Sequence, residues 1–135
     1  MRSDPEGVGA IQGLTMELTP VEFTGRALKI LEEAVRQRLQ ALHRAASRSE
    51  VPDTKAVLSY LLDNLISLFP EEMPKRDARS YIHELISVRN KWAHSEPLDY
   101  DDAYRAADTV NRLCKLLGCE DPSADALRRE IVGVF

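Results

Sequence analysis

From residue 19 onwards, apolar residues return every three or four positions, and the periodic stretches are separated by prolines and short polar segments. That spacing repeats the 3.6-residue turn of an α-helix and places one apolar stripe on each segment. No segment alternates apolar and polar residues between turn residues, as a half-buried strand would. The spacing therefore predicts an all-α chain: a four- to five-helix up-and-down bundle with antiparallel order and short connections.

Thr19-Pro20-Val21-Glu22 forms a capping box, with proline at the first helical position, so a first helix is expected over about 20–46. Its stripe is Ala27, Leu28, Leu31, Ala34, Val35, Leu39 and Leu42. After SRSEVPD, a second helix capped by Asp53 or Thr54 carries Val57, Leu58, Leu61, Leu62, Leu65, Leu68 and Phe69, and stops at Pro70. PEEMP reads as a turn, and a third helix follows over roughly 75–93 with Ala78, Tyr81, Ile82, Leu85, Val88 and Trp92 inward. Asp99 and Asp102 cap a fourth, lined by Ala103, Ala106, Ala107, Val110, Leu113, Cys114 and Leu117 and closed by Gly118. Asp121-Pro122 opens a short last helix over about 122–132. Residues 1–18, with three of the six glycines, are expected to be a flexible lead-in, and 19–135 a single domain. The abrupt apolar end at Val134-Phe135 suggests a domain cut from, or fused to, something longer.

Composition narrows the function. The net charge of −4 argues against a protein coated in basic surface for sequence-independent nucleic-acid binding, although 18 lysines and arginines leave room for a local basic groove. Arg36, Arg38, Arg44 and Arg48 share one segment, and Lys75, Arg76 and Arg79 another, as on solvated helix faces. Two cysteines, Cys114 and Cys119, make neither a disulfide framework nor a zinc site, so no metal is called for. No apolar run approaches the roughly 20 residues of a membrane span, and the N-terminus lacks a secretory apolar region. A cytoplasmic protein with no membrane association is expected.

The function signal lies in YIHELISVRNKWAHSEP. On a helical wheel centred on Leu85, Arg89 falls at about 40°, within the apolar stripe. A guanidinium buried unpaired costs several kcal/mol. It must find a carboxylate (Asp99, Asp101 or Asp102), reach a wet crevice, or face another chain. Trp92 is expected in the core. His83 and Asn90 fall on the far side, with Ser87 nearby. His94 would join them if the helix continued, but an unwinding end before Pro97 would let its ring swing back towards Arg89. Cleaving RNA without a metal needs a base near neutrality for the 2′-hydroxyl proton and a fixed cation for the charge on phosphorus. Histidine, with a pKa of about 6.5, suits the first task and arginine the second. One such set is sparse, and two sets across a two-fold axis would add a second histidine as general acid.

Arginine, a polar neighbour and a histidine four to six residues beyond, at the end of the third helix of an α-bundle, resembles the HEPN superfamily; RNKWAH has four residues between Arg89 and His94. The stretch HELISVRNKWAHSEPLDYDDAYRAADTVNRLCKLLG is similar to one branch of it, found fused to a eukaryotic RNA-surveillance endonuclease and attached to bacterial helicase and other ATPase proteins. The resemblance covers roughly 18–130 and is strongest over 81–117. It implies a homodimer with a shared cleft and a metal-independent endoribonuclease, without a cofactor, that leaves a 2′,3′-cyclic phosphate. His94 would be the acid/base, Arg89 the phosphate-binding cation and Asn90 the supporting polar residue. Lys91 and Glu84 would contact substrate, Glu84 standing where some members keep an acidic group. Other members of the superfamily are non-catalytic, so the competing expectation is a dimerisation or partner-docking module of a larger ATPase, helicase or RNA-processing system.

Overall fold

Six helices make up the described part of the chain in a computed structural model, which covers residues 18–42, 54–119 and 122–134. They are α1 (Pro20–Leu42), α2 (Thr54–Asp63), α3 (Leu65–Leu68), α4 (Glu72–Ala93), α5 (Tyr100–Leu117) and α6 (Pro122–Val134). The expected lead-in over 1–17, the end of the first helix beyond 42, the Asp53 and Asp121 caps, and Arg44 and Arg48 lie outside the described residues. Among the described residues there is no strand, and no helix is long and apolar enough to cross a membrane.

The predicted capping box at Thr19 forms, and the expected cap at Asp99 is a full box as well. Thr19 Oγ1 accepts from the Glu22 N–H at 3.1 Å, and the Thr19 N–H reaches Glu22 Oε1 at 2.8 Å. Asp99 and Asp102 exchange the equivalent pair at 2.8 and 3.0 Å. Each box satisfies N–H groups that a helix start leaves without intrahelical partners. Because its carboxylate accepts backbone N–H bonds, chiefly that of Asp102, Asp99 titrates below the ordinary aspartate range. At the far end of α5, Gly118 takes the left-handed conformation (φ 74°) and closes the helix.

Two boundaries differ from the sequence expectation. The second helix is not continuous to Leu68 but breaks at Asn64, whose backbone leaves helical geometry (φ −114°, ψ 23°) and whose side-chain amide donates to the Tyr60 carbonyl at 2.8 Å beside its own N–H at 3.1 Å. PEEMP is not a turn. Glu71 is the N-cap of α4, and Pro74 sits in the first turn, where its missing N–H has no helical partner to lose.

The core sits around α5, which packs against α1, α4 and α6. Its alanines at 103, 106 and 107 are fully buried and let neighbouring backbones approach closely. Phe23, Leu28 and Leu31 of α1, Val57, Leu58 and Leu61 of α2, Ile82 and Leu85 of α4, and Leu127 and Ile131 of α6 complete it. Cys114 is buried there and Cys119 is half-buried against it. Leu18 also packs on this core, and its carbonyl accepts from the Tyr100 hydroxyl at 3.0 Å. The Phe23 and Tyr100 rings meet edge to face at 6.2 Å. The C-terminal end of α4 thus meets the N-terminal ends of α1 and α5, and α4 runs antiparallel to both.

A polar clamp that the sequence reading did not single out joins α5 to α6. Arg128 bonds Asp108 at 2.9 Å and also pairs with Asp125, while Arg112 holds the other oxygen of Asp108 at 2.8 Å. Burial pushes the Asp108 carboxyl up, but the hydrogen bonds and charges of Arg112 and Arg128 outweigh it and hold the group below the ordinary aspartate value.

Candidate functional site

The last turns of α4 carry the candidate residues, and the helix sorts them onto separate faces. Leu85, Arg89 and Trp92 follow one another at spacings of four and three, so they share a face towards α1 and α2. Arg89 is half-buried there. It lines an open cleft of about 340 Å³ with Gly25, Leu28, Lys29 and Glu32 of α1, Thr54 of α2, and Trp92.

The three fates open to the buried-stripe arginine are thereby narrowed. Asp99 and Asp102 are engaged in their own capping box, and among the described residues no carboxylate pairs with Arg89. Its guanidinium makes one long hydrogen bond, Nη1 to Asn90 Oδ1 at 3.4 Å. The arginine reaches a wet crevice. Glu32 lies in the same cleft, but its carboxylate accepts from the Thr54 hydroxyl at 2.5 Å and lies 4.0 Å from Lys29 Nζ.

Trp92 is not in the core. It is 39% exposed, and its Nε1–H donates to the Val21 carbonyl at 3.2 Å. The indole lies against Gly25, where an added Cβ would come 3.2 Å from Nε1 and 3.3 Å from Cζ2. The apolar stripe predicted the side of the helix correctly but not the depth, because α1 is met there by a backbone without a side chain. A glycine inside α1 was the available signal, since a helical glycine marks close approach when nothing else explains it.

Glu84 and Lys91 occupy a different face. With Ser87 and Val88 of α4 and Leu98, Asp102 and Arg105, they line a smaller groove of about 120 Å³ on the α5 side. Glu84 pairs there with Arg105 at 3.7 Å. The helix body of α4 separates this groove from Arg89, so the two expected substrate contacts are not gathered with the expected phosphate cation. His83 and Asn90 are exposed, as their positions on the wheel predicted.

His94 ends α4 without the expected unwinding. It is the C-cap, with φ −99° and ψ 13°. The Ser95 N–H then bonds the Trp92 carbonyl at 3.3 Å and the Glu96 N–H bonds the Lys91 carbonyl at 2.9 Å. This is a Schellman closure, and it forces Ser95 to φ 57°, a left-handed conformation usually given to glycine. The imidazole is exposed at a helix C-terminus, where the macrodipole favours a cation. It is not among the residues lining the Arg89 cleft. Among the described residues, no group of three or more His, Cys, Asp or Glu side chains could hold a metal ion.

Sequence reasoning missed Lys29, Glu32 and Thr54, which look like ordinary surface or capping residues until α1 and α2 are folded over the end of α4. The chain matches the model of a family described as Swt1-like HEPN over residues 17–118. No curated protein and no solved structure matches the chain significantly.

Proposed function

The chain belongs to the Swt1-like HEPN family, and on that premise we propose that it is a metal-independent endoribonuclease, acting as a homodimer in which Arg89 and His94 of two copies share one cleft. The observation that carries this reading is Arg89. It is a permanent cation on the inward side of a helix, facing an open cleft, with Asn90 as its hydrogen-bond partner and, among the described residues, no carboxylate in direct contact, the Glu32 carboxylate of the same cleft being turned to Thr54 and Lys29. A structural arginine at that depth would be paired; an unpaired one is suited to an incoming phosphate.

His94 stands one residue beyond the helix with its imidazole exposed, within reach of a substrate in solvent. In the proposed reaction it takes the proton from a ribose 2′-hydroxyl. The 2′-oxygen attacks phosphorus and the bond from phosphorus to the 5′-oxygen breaks. That oxygen takes a proton from the imidazolium of the second copy's His94, leaving a 2′,3′-cyclic phosphate and a 5′-hydroxyl. Arg89 neutralises the charge on the non-bridging oxygens, and Asn90 steers the guanidinium. Acid–base chemistry of this kind supplies about 10²–10⁴-fold in rate. Lys91 and Glu84 take a lesser part, as contacts to RNA leaving the cleft along the α5 side.

One observation favours the competing reading, a non-catalytic dimerisation or docking module of a larger ATPase or helicase. His94 does not line the Arg89 cleft within one copy. The two readings separate in one experiment, cleavage of a mixed single-stranded RNA with EDTA present by the wild type and by His94→Ala. Cleavage by the wild type alone, with cyclic phosphate ends, is expected. Equal background from both proteins would leave the module reading.

A further inference from the structure

The Arg89 cleft has a wall that the proposed chemistry does not use. Transesterification at phosphorus needs a base, an acid and a cation, and nothing aromatic. Yet the chain's only tryptophan forms part of that wall while remaining 39% exposed. The indole is not loose: Nε1 is bonded to the Val21 carbonyl at 3.2 Å and the ring is backed by Gly25. Lys29 lines the same cleft from α1, with an exposed ammonium 4.0 Å from the Glu32 carboxylate, at the outer limit of an ion pair.

A fixed, open aromatic ring next to two cations is the combination that single-stranded nucleic acid requires. A base stacks on the ring while the flanking phosphates meet the charges, and a duplex has no free base face to offer. A ring already held in place loses little freedom on binding, which favours stacking further. We propose that Trp92 is a nucleobase platform, on which one unpaired base of a single-stranded RNA stacks while Lys29 holds a neighbouring phosphate. The subsite rests on the ribonuclease reading for its place beside the scissile bond, but it is a claim about binding and is tested separately.

Trp92, as the sole tryptophan, is its own reporter. The full chain carrying His94→Ala is titrated with a mixed single-stranded oligoribonucleotide, the same strand made abasic, and the duplex, while indole emission is followed. Quenching by the single strand, with little by the other two at equal concentration, is expected. Replacing Trp92 by Leu should weaken binding about tenfold by fluorescence anisotropy of a labelled strand, the fold-change typical of one lost stacking contact. Trp92→Phe keeps a ring and should stay within about threefold of the parent, which also guards against a folding defect in the leucine variant. Lys29→Gln should lower the slope of log affinity against log salt by about one.

The subsite and the ribonuclease reading fail differently. A wild type that does not cleave, but whose emission is quenched by single strands alone, would remove the nuclease and keep the platform. A wild type that cleaves, with Trp92→Leu unchanged in affinity and KM, would overturn the platform and keep the nuclease. Emission that shifts with protein concentration and ignores RNA would also overturn it, since a second copy would then be covering the indole.

Discussion

Gly25→Ala sets two effects of similar size against each other. Alanine in a helix interior is favoured over glycine by about 1 kcal/mol. At residue 25 the new Cβ would lie 3.2 Å from Trp92 Nε1 and 3.3 Å from Cζ2, whereas comfortable contacts begin near 3.5 Å. The indole, being at the surface, can withdraw by roughly 0.3 Å or more. The hydrogen bond to Val21 already spans 3.2 Å, so that withdrawal takes it to the edge of bonding range. Losing such a bond costs about 0.5–1.5 kcal/mol. The two terms cancel, and the substitution should change stability by less than about 0.5 kcal/mol. The same substitution in a Trp92→Leu background meets no indole and should recover the full ~1 kcal/mol, near 4 °C in Tm for a domain of this size. Thermal and urea unfolding of all four proteins, followed by circular dichroism, gives the coupling directly. Emission of the sole tryptophan should shift to the red in Gly25→Ala. If that variant is stabilised by the full ~1 kcal/mol with unchanged emission and no coupling to residue 92, Gly25 is not there to admit the indole and the reasoning fails.

The acid limb of the stability curve should depend on Asp108. Its folded-state pKa lies below the ordinary value of 3.8, so its contribution is complete above that value and is lost as pH falls through the lowered one. Asp108→Asn should therefore cost about 1–2 kcal/mol at neutral pH, much less below pH ~3, and flatten stability against pH in urea titrations. Ser95→Gly relieves a left-handed serine and should stabilise by about 0.5 kcal/mol, since part of the gain is returned as glycine entropy in the unfolded chain. Thermal unfolding would read that shift.

What could be read in the sequence was what local rules control. Thr19-Glu22 and Asp99-Asp102 announce helix starts because capping chemistry spans only three residues, and Gly118 announces a stop for the same reason. The Asn64 break escaped because it lies in the backbone dihedrals of one residue, inside an otherwise continuous apolar stripe. At the site, periodicity placed Arg89 on the inward face and Asn90 and His83 outside, as the fold has them. It could not say how deep an inward residue goes, which depends on the facing helix. Trp92 meets a glycine and stays near the surface, while Leu85, two turns earlier on the same side, is fully buried. Lys29, Glu32 and Thr54 were illegible because they join Arg89 only through long-range packing of α1 and α2.

Trp92 and Tyr100 flank the connector that carries His94, and each donates a hydrogen bond to the start of α1, to the Val21 and Leu18 carbonyls. The connector is therefore pinned at both ends to the short stretch 18–21 that leads into α1. Fraying of that stretch would release both pins at once, so opening of the α1 terminus should loosen residues 93–99 with it, which amide hydrogen exchange would read. Local order at the histidine is set some seventy residues upstream in sequence, by how firmly Thr19 and Glu22 hold the first turn shut.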